Sequence, residues 1–235
     1  MNWGQSKYRH QDTDARVFLR KFDGITHPHP RESRVLSVGQ NEEDTANVLV
    51  DNGFHVVGYD LREPRLCEPP RYVHMKGDFV AANDPETRKP FCTDFRSENF
   101  DYAYTLSAIE HFGLPVYGGT IDPDYDSKAM DRIWDLLRWG GVCWLTTPYC
   151  KHGHTFMPHW RVYDAVSLPA RIIRKFSVEE KAFFKSHPDC PGISVYPEDQ
   201  DGIQWVPQEA ADEYWGGKDG TPPHCTVFLK LRKDR

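Results

Sequence analysis

No run in this 235-residue chain approaches the roughly 18 consecutive apolar residues that a membrane span requires. The first stretch, MNWGQSKYRHQDTDARVF, has no apolar h-region, which argues against an export signal. No block of Lys and Arg occurs. The 29 basic residues are outnumbered by 35 acidic ones, and the net charge is −6, which disfavours a nucleic-acid partner. The cysteines, Cys67, Cys92, Cys143, Cys150, Cys190 and Cys225, include no C-x-x-C pair. Reduced thiols in a cytoplasmic chain are the simple reading. No G-x-G-x-x-G follows the first apolar run, which speaks against a nicotinamide-dependent oxidoreductase. No internal repeat is visible.

What is present is a globular composition, 39% hydrophobic and 13% aromatic. The length fits a single domain over residues 1–235, long enough for a substantial core. Within it, 1–33 reads as an N-terminal cover over an open edge of the fold. Its patch ARVFLRKF can turn Val17, Phe18 and Phe22 toward a core. Tyr8 and Arg9 then belong either to a lid or to a solvated arm.

The stretch from Arg34 to Asp60, RVLSVGQNEEDTANVLVDNGFHVVGYD, organises the rest. It reads as a strand to Gly39, a helix from Asp44 to Asn52, and a strand from His55 to Asp60. Ala46, Leu49 and Val50 share a helix face, and Gly53 stops the helix. An acid at the tip of the second strand, about 20 residues after the first turn, is where doubly wound folds hold a nucleoside ribose. Further strands are expected at Tyr72–Gly77, Asn99–Leu106, Gly141–Thr147, Phe176–Lys185 and Cys225–Arg232. Asp126 is placed to cap a helix bearing Met130, Ile133, Trp134 and Leu137 on one face, with Gly140-Gly141 ending it. A second, short helix is expected with Ser167 as cap and Pro169 in its first turn. The connection 186–224, rich in Pro, Gly, Asp and Trp, is a long insertion between the last two strands; such loops are usually functional or flexible.

The order RVLSVG, VVGYD, KGDF, FDYAYTLSAIEHFGL and GGVCWLTTP resembles the class I S-adenosylmethionine-dependent methyltransferases, over residues 34–185 and the last strand. FDYAYTLSAIEHFGL, a strand followed by a Glu-His pair, is its most specific piece. SAIEHFGL with Asp122-Pro-Asp124-Tyr-Asp126 is similar to a poorly characterised branch, some members of which occur with polysaccharide-building enzymes. The alternation of strands and helices and the resemblance imply one fold. It is α/β, a Rossmann-like seven-stranded, mostly parallel sheet with helices on both faces and a C-terminal antiparallel hairpin.

The resemblance implies S-adenosylmethionine as cofactor, with Gly39, Gln40, Asn41, Asp60, Leu61, Asp78, Phe79, Leu106 and Ser107 around it. Asp60 would take the ribose, Asp78 and Phe79 the adenine. The family's first turn usually reads acid-x-Gly-x-Gly. Here Ser37 replaces the acid, and Asn41 stands at the second glycine, where Asn tolerates φ > 0 best among non-glycine residues. Glu42 or Glu43 is read as the replacement carboxylate. His111 is the first candidate for general base, with Glu110 orienting it or touching the cofactor. The alternatives are a pocket-lining His111, or a base among His152, His154 and His159. Asp122, Asp124 and Asp126 begin like a calcium loop, but Ser127 and Ile133 stand at its positions six and twelve, and no metal site is assigned. The expected function is methyl transfer to oxygen or nitrogen of a small polar acceptor, a sugar among the candidates. The insertion at 186–224 would set selectivity. The other reading is a catalytically inactive relative serving as a binding or scaffolding module. The sequence leaves the oligomeric state open.

Overall fold

The apolar runs of the chain become strands of one sheet in a computed structural model that describes residues 9–22, 32–39, 45–62, 72–81, 100–185, 203–213 and 225–235. Strands β1 (Arg34–Val38), β2 (His55–Asp60), β3 (Tyr72–Lys76), β4 (Phe100–Leu106) and β5 (Leu137–Tyr149) run parallel, in spatial order β3-β2-β1-β4-β5. Strand β6 (His154–Phe156) pairs with β7 (Trp160–Val162) in a separate hairpin. Strand β8 (Ser177–Phe184) carries β9 (Trp205–Val206) at the sheet edge, and β10 (Cys225–Arg232) lies antiparallel between β5 and β8. The expected Rossmann-like sheet with an antiparallel end is therefore what forms. Among the described residues it has eight strands rather than seven, because the stretch read as an insertion contributes β9. That stretch also supplies helix α4 (Gln208–Glu213), while 186–202 and 214–224 lie outside the described residues.

Side chains alternate between the two faces with the period of two that a strand imposes. Val35, Val56, Tyr104, Trp144 and Phe228 point to one face; Leu36, Val57, Ala103, Cys143, Leu145 and Leu229 point to the other. Helices α1 (Arg9–Lys21) and α2 (Thr45–Asp51) cover the first face, and α3 (Tyr125–Leu136) covers the second. Val17, Phe18 and Phe22 of the N-terminal segment are buried, as their spacing predicts. Phe18 stacks on Tyr104 at 4.8 Å, and Phe22 meets Trp144 at 4.8 Å. Burying each ring is worth about 1.5–3 kcal/mol. The helix thus sits over the central strands β4 and β5, not at the open edge expected for it.

Three local expectations are corrected. Helix α3 ends at Leu136, since Leu137 is buried and extended (φ −72°, ψ 141°) and starts β5; Gly140-Gly141 lie within that strand. Asp124, not Asp126, occupies the N-cap position, and Asp126 is fully buried in the first turn. Asp164 rather than Ser167 caps the later turn. Its Oδ1 accepts from Val166 N (3.0 Å) and Ser167 N (2.7 Å), and the turn Pro169–Ile173 has π-helical spacing. Among the described residues, no helix is long and apolar enough to cross a membrane.

Candidate functional site

A cavity of about 810 Å³, its open mouth included, lies at the carboxyl ends of β1, β2 and β4. Ligands bind at that end of open α/β sheets because the loops there diverge. Gly39, Asp60, Leu61, Asp78, Phe79, Leu106, Ser107 and His111 all line it. Gln40 and Asn41 lie outside the described residues, as do Glu42 and Glu43. Glu110 is buried at 2% exposure and does not line the cavity.

Gly39 ends β1 with φ +79°, and a Cβ there would stand 2.4 Å from the Ala108 Cβ. Only glycine allows β1 to turn this close to the segment after β4. Asp60 ends β2, nearly buried. Its Oδ1 accepts from Arg62 N (2.8 Å) and Nε (3.1 Å), and its Oδ2 from Arg62 Nη2 (3.3 Å). The Arg62 guanidinium lies 4.6 Å from the ring centre of Tyr117, which also lines the cavity.

Asp78 follows β3. It accepts from Thr120 Oγ1 (2.7 Å), Tyr125 OH (2.7 Å), Val80 N and Ala81 N (both 3.1 Å). Burial alone would raise its pKa, but the bonds from Thr120, Tyr125, Ala81 and Val80 outweigh burial and hold it below the usual carboxylate range. Phe79 is buried against Tyr59 and Phe112, with ring centres 5.5 and 6.5 Å away.

The segment after β4 forms the opposite wall. His111 Nδ1 lies 2.6 Å from the His159 carbonyl oxygen. A carbonyl only accepts, so Nδ1 carries the hydrogen and the neutral ring's lone pair sits on Nε2. Glu110 Oε1 lies 4.0 Å from that Nε2. Burial, with repulsion from Asp14 added, raises the Glu110 pKa to about 8, against hydrogen bonds that include one from Thr147 Oγ1 at 3.3 Å. Asp14, on α1, is raised by burial to about 7, against hydrogen bonds from Ser107 and Thr146.

One buried cation holds this wall in place. Arg161 donates to the carbonyls of Glu110, Phe112, Asp122 and Pro123. Asp126 accepts from Tyr163 OH (2.8 Å) and from Arg171 Nε (2.9 Å) and Nη2 (2.6 Å), with Arg161 Nε 3.8 Å away. Gly113 (φ +76°) lets the segment fold back, since a Cβ there would stand 2.0 Å from the Asp122 carbonyl oxygen. Each acid of the Asp122-Pro-Asp124-Tyr-Asp126 run faces a cation: Lys128 for Asp122, Arg171 for Asp124 and Asp126. Among the described residues, no group of three or more His, Cys, Asp or Glu is placed to hold a metal ion.

His159 reaches the site through its backbone, whereas His152 and His154 do not line the cavity. Sequence reasoning missed Arg62, Tyr117, Thr120 and Tyr125, which line the cavity, and Asp14, which lies behind it. Arg62 stands two residues after the strand-tip acid, within reach of its carboxylate, and was findable. Asp14 had no signal, because it belongs to a helix far away in the chain.

A family model described as Caenorhabditis protein of unknown function, DUF268, matches residues 89–182. No curated protein matches the chain. Among solved structures, the chain is similar to a Burkholderia thailandensis 1,6-didemethyltoxoflavin-N1-methyltransferase bound to 1,6-didemethyltoxoflavin and S-adenosylhomocysteine. Identity is 14%, 97% of this chain and 80% of that chain are covered, and the TM-score is 0.54. It is also similar to Haemonchus contortus phosphoethanolamine N-methyltransferase 2, in complex with phosphomonomethylethanolamine and S-adenosylhomocysteine. There the figures are 15% identity, 95% and 53% coverage, and a TM-score of 0.58. The cyclase SpnF is a third neighbour, at 16% identity, 95% and 80% coverage and a TM-score of 0.58. These likenesses establish the fold, that of the class I methyltransferases, and a cyclase among them means that the fold alone does not name the chemistry.

Proposed function

We propose that this chain transfers a methyl group from S-adenosylmethionine to oxygen or nitrogen of a small polar acceptor, with a sugar as one candidate. The observation that carries the reading is convergence. Eight residues expected around the cofactor or the reacting proton, drawn from four separate stretches, line one cavity.

The donor set fits the cofactor. Asp60 supplies a carboxylate for the ribose hydroxyls, Phe79 and Leu106 supply apolar surface for the adenine, and Gly39 lets the backbone come close. When bound, the cofactor brings a methyl group already activated on a sulfonium. The protein is left with holding the acceptor in line and removing its proton. His111 is assigned to the proton, because the His159 carbonyl fixes its hydrogen on Nδ1 and keeps Nε2 basic.

The bond from Arg62 to both Asp60 oxygens favours a second reading, a methyltransferase-like binding module in which the ribose acceptor is already engaged. Calorimetry with S-adenosylmethionine separates the two. No binding at millimolar cofactor sinks the enzyme reading. Binding without turnover on any acceptor leaves the binding module. For the base, His111→Ala should lower turnover about 100-fold with cofactor affinity unchanged. Unchanged turnover removes His111 from that role.

A further inference from the structure

The floor of the cavity holds a side chain whose backbone its residue type avoids. Ser107, the first residue after β4, has φ +44°. Such a conformation persists only where the surroundings over-determine it, and it concentrates at functional sites. Here the Ser107 N–H donates to both the carbonyl (3.1 Å) and Oγ1 (3.0 Å) of Thr146. Its hydroxyl donates to Asp14 Oδ2. Asp14 is 1% exposed, and its other oxygen, Oδ1, has no hydrogen-bond partner among the described residues. Burying a half-paired carboxylate this completely is costly and calls for an explanation.

We propose that Ser107 and Asp14 form an acceptor-binding subsite, in which Asp14 holds the serine hydrogen and thereby presents the Ser107 Oγ lone pairs to a hydroxyl or ammonium group of the ligand. The inference rests on the cavity being a methyltransferase site, and it names the recognised end of the acceptor as a hydrogen-bond donor. A serine hydroxyl has one hydrogen. Once that hydrogen goes to a carboxylate, the oxygen can only accept. A ligand that offers only an ether or thioether gains nothing there. Ser107 is the contact, and Asp14 acts through it as a positioning residue.

The direction of that bond depends on charge. The groups facing Asp14 among the described residues are the hydroxyls of Ser107 and Thr146 and the buried Glu110. Above about pH 7, Asp14 is a carboxylate and accepts from Ser107. Below it, the carboxyl carries its own hydrogen and can donate to Ser107 Oγ, which turns the serine hydrogen toward the cavity. A donor-bearing ligand therefore binds more tightly on the alkaline side.

The test uses the full chain loaded with S-adenosylhomocysteine and two probes, methyl glucoside for the hydroxyl source and ethanolamine for the ammonium source. Dissociation constants are read by calorimetry from about pH 6 to about pH 8. One probe or both should bind, about tenfold more tightly at the upper end. Which of them binds identifies the source. Ser107→Ala should raise the dissociation constant about tenfold and abolish the pH step. Asp14→Asn, of the same shape, should keep part of the affinity and lose the step. Glu110→Gln should keep the step. Failure of both probes to bind the loaded chain overturns the subsite, and so does a step that persists in Ser107→Ala or Asp14→Asn. If Asp14→Asn does not fold, Ser107→Ala decides alone. Failure of S-adenosylhomocysteine itself to bind overturns the proposed function instead; the probes are then titrated on the unloaded chain with the same criteria.

Discussion

Carboxylates at the rim of the cavity and in the protein behind its wall sit in opposite states. At the rim, Asp78 accepts four hydrogen bonds and stays ionised below the usual range. Behind the wall, Asp14 and Glu110 are fully buried with few donors and are raised to about 7 and about 8. The residue types are the same, so the difference lies in supply. The rim is built from turns, whose free backbone N–H groups and side-chain hydroxyls point at the acid. The region behind the wall is built from the ends of β4 and β5 and a helix laid across them, where backbone donors are spent on the sheet.

The largest effect should come from the element that supports both regions. Asp126→Ala leaves the buried Arg161 without its nearby carboxylate and strips Arg171 of its main partner. Stability should fall by about 3–5 kcal/mol, read from the urea midpoint. A loss near zero would mean that the wall is held elsewhere.

The region behind the wall is tested by pH. Both buried acids have folded-state pKa values above those of the unfolded chain, so the folded state holds protons that the unfolded state has released. Stability should therefore decline as pH rises from about 4 toward 8 and level off above. In Asp14→Asn combined with Glu110→Gln that decline should shrink. An unchanged slope would break the contrast between interior and rim.

At the rim, Asp60→Ala should weaken S-adenosylmethionine binding by about 1–3 kcal/mol, as for a lost charged hydrogen bond. An unaltered dissociation constant would move the ribose elsewhere. The smallest effect belongs outside the cavity. Lys128, about half exposed, pairs with Asp122 at the surface, and Lys128→Ala should leave the urea midpoint close to where it was.

Much of the frame was legible in the residues. Runs of five to eight residues rich in apolar and aromatic side chains, read in the order of the resemblance, placed β1, β2, β4, β8 and β10 to within a residue or so at each end. For β1, β2 and β4 the reason is burial on both faces of a parallel sheet, which calls for a nearly continuous apolar run. The boundary of α3 differs because Leu137 fits the helical face and the strand equally, and only its pairing with Phe100 of β4 selects the strand. Asp126 resembled a cap because a small acid before a helix usually is one. Its burial against Arg161, Tyr163 and Arg171 joins three segments that no local pattern connects.

The sequence by itself determined the layered sheet, the end of the sheet at which a ligand can sit, and the residues that turn the chain there. Hydrophobic period, turn residues and strand-tip acids are local, and local chemistry is what a sequence spells out. The tertiary structure alone decided what each acid does. A carboxylate's charge depends on how many donors and how much water surround it, and these come from elements distant in the chain. Thus Asp78 received Thr120 and Tyr125, and Ser107 received Asp14 from a helix more than ninety positions earlier.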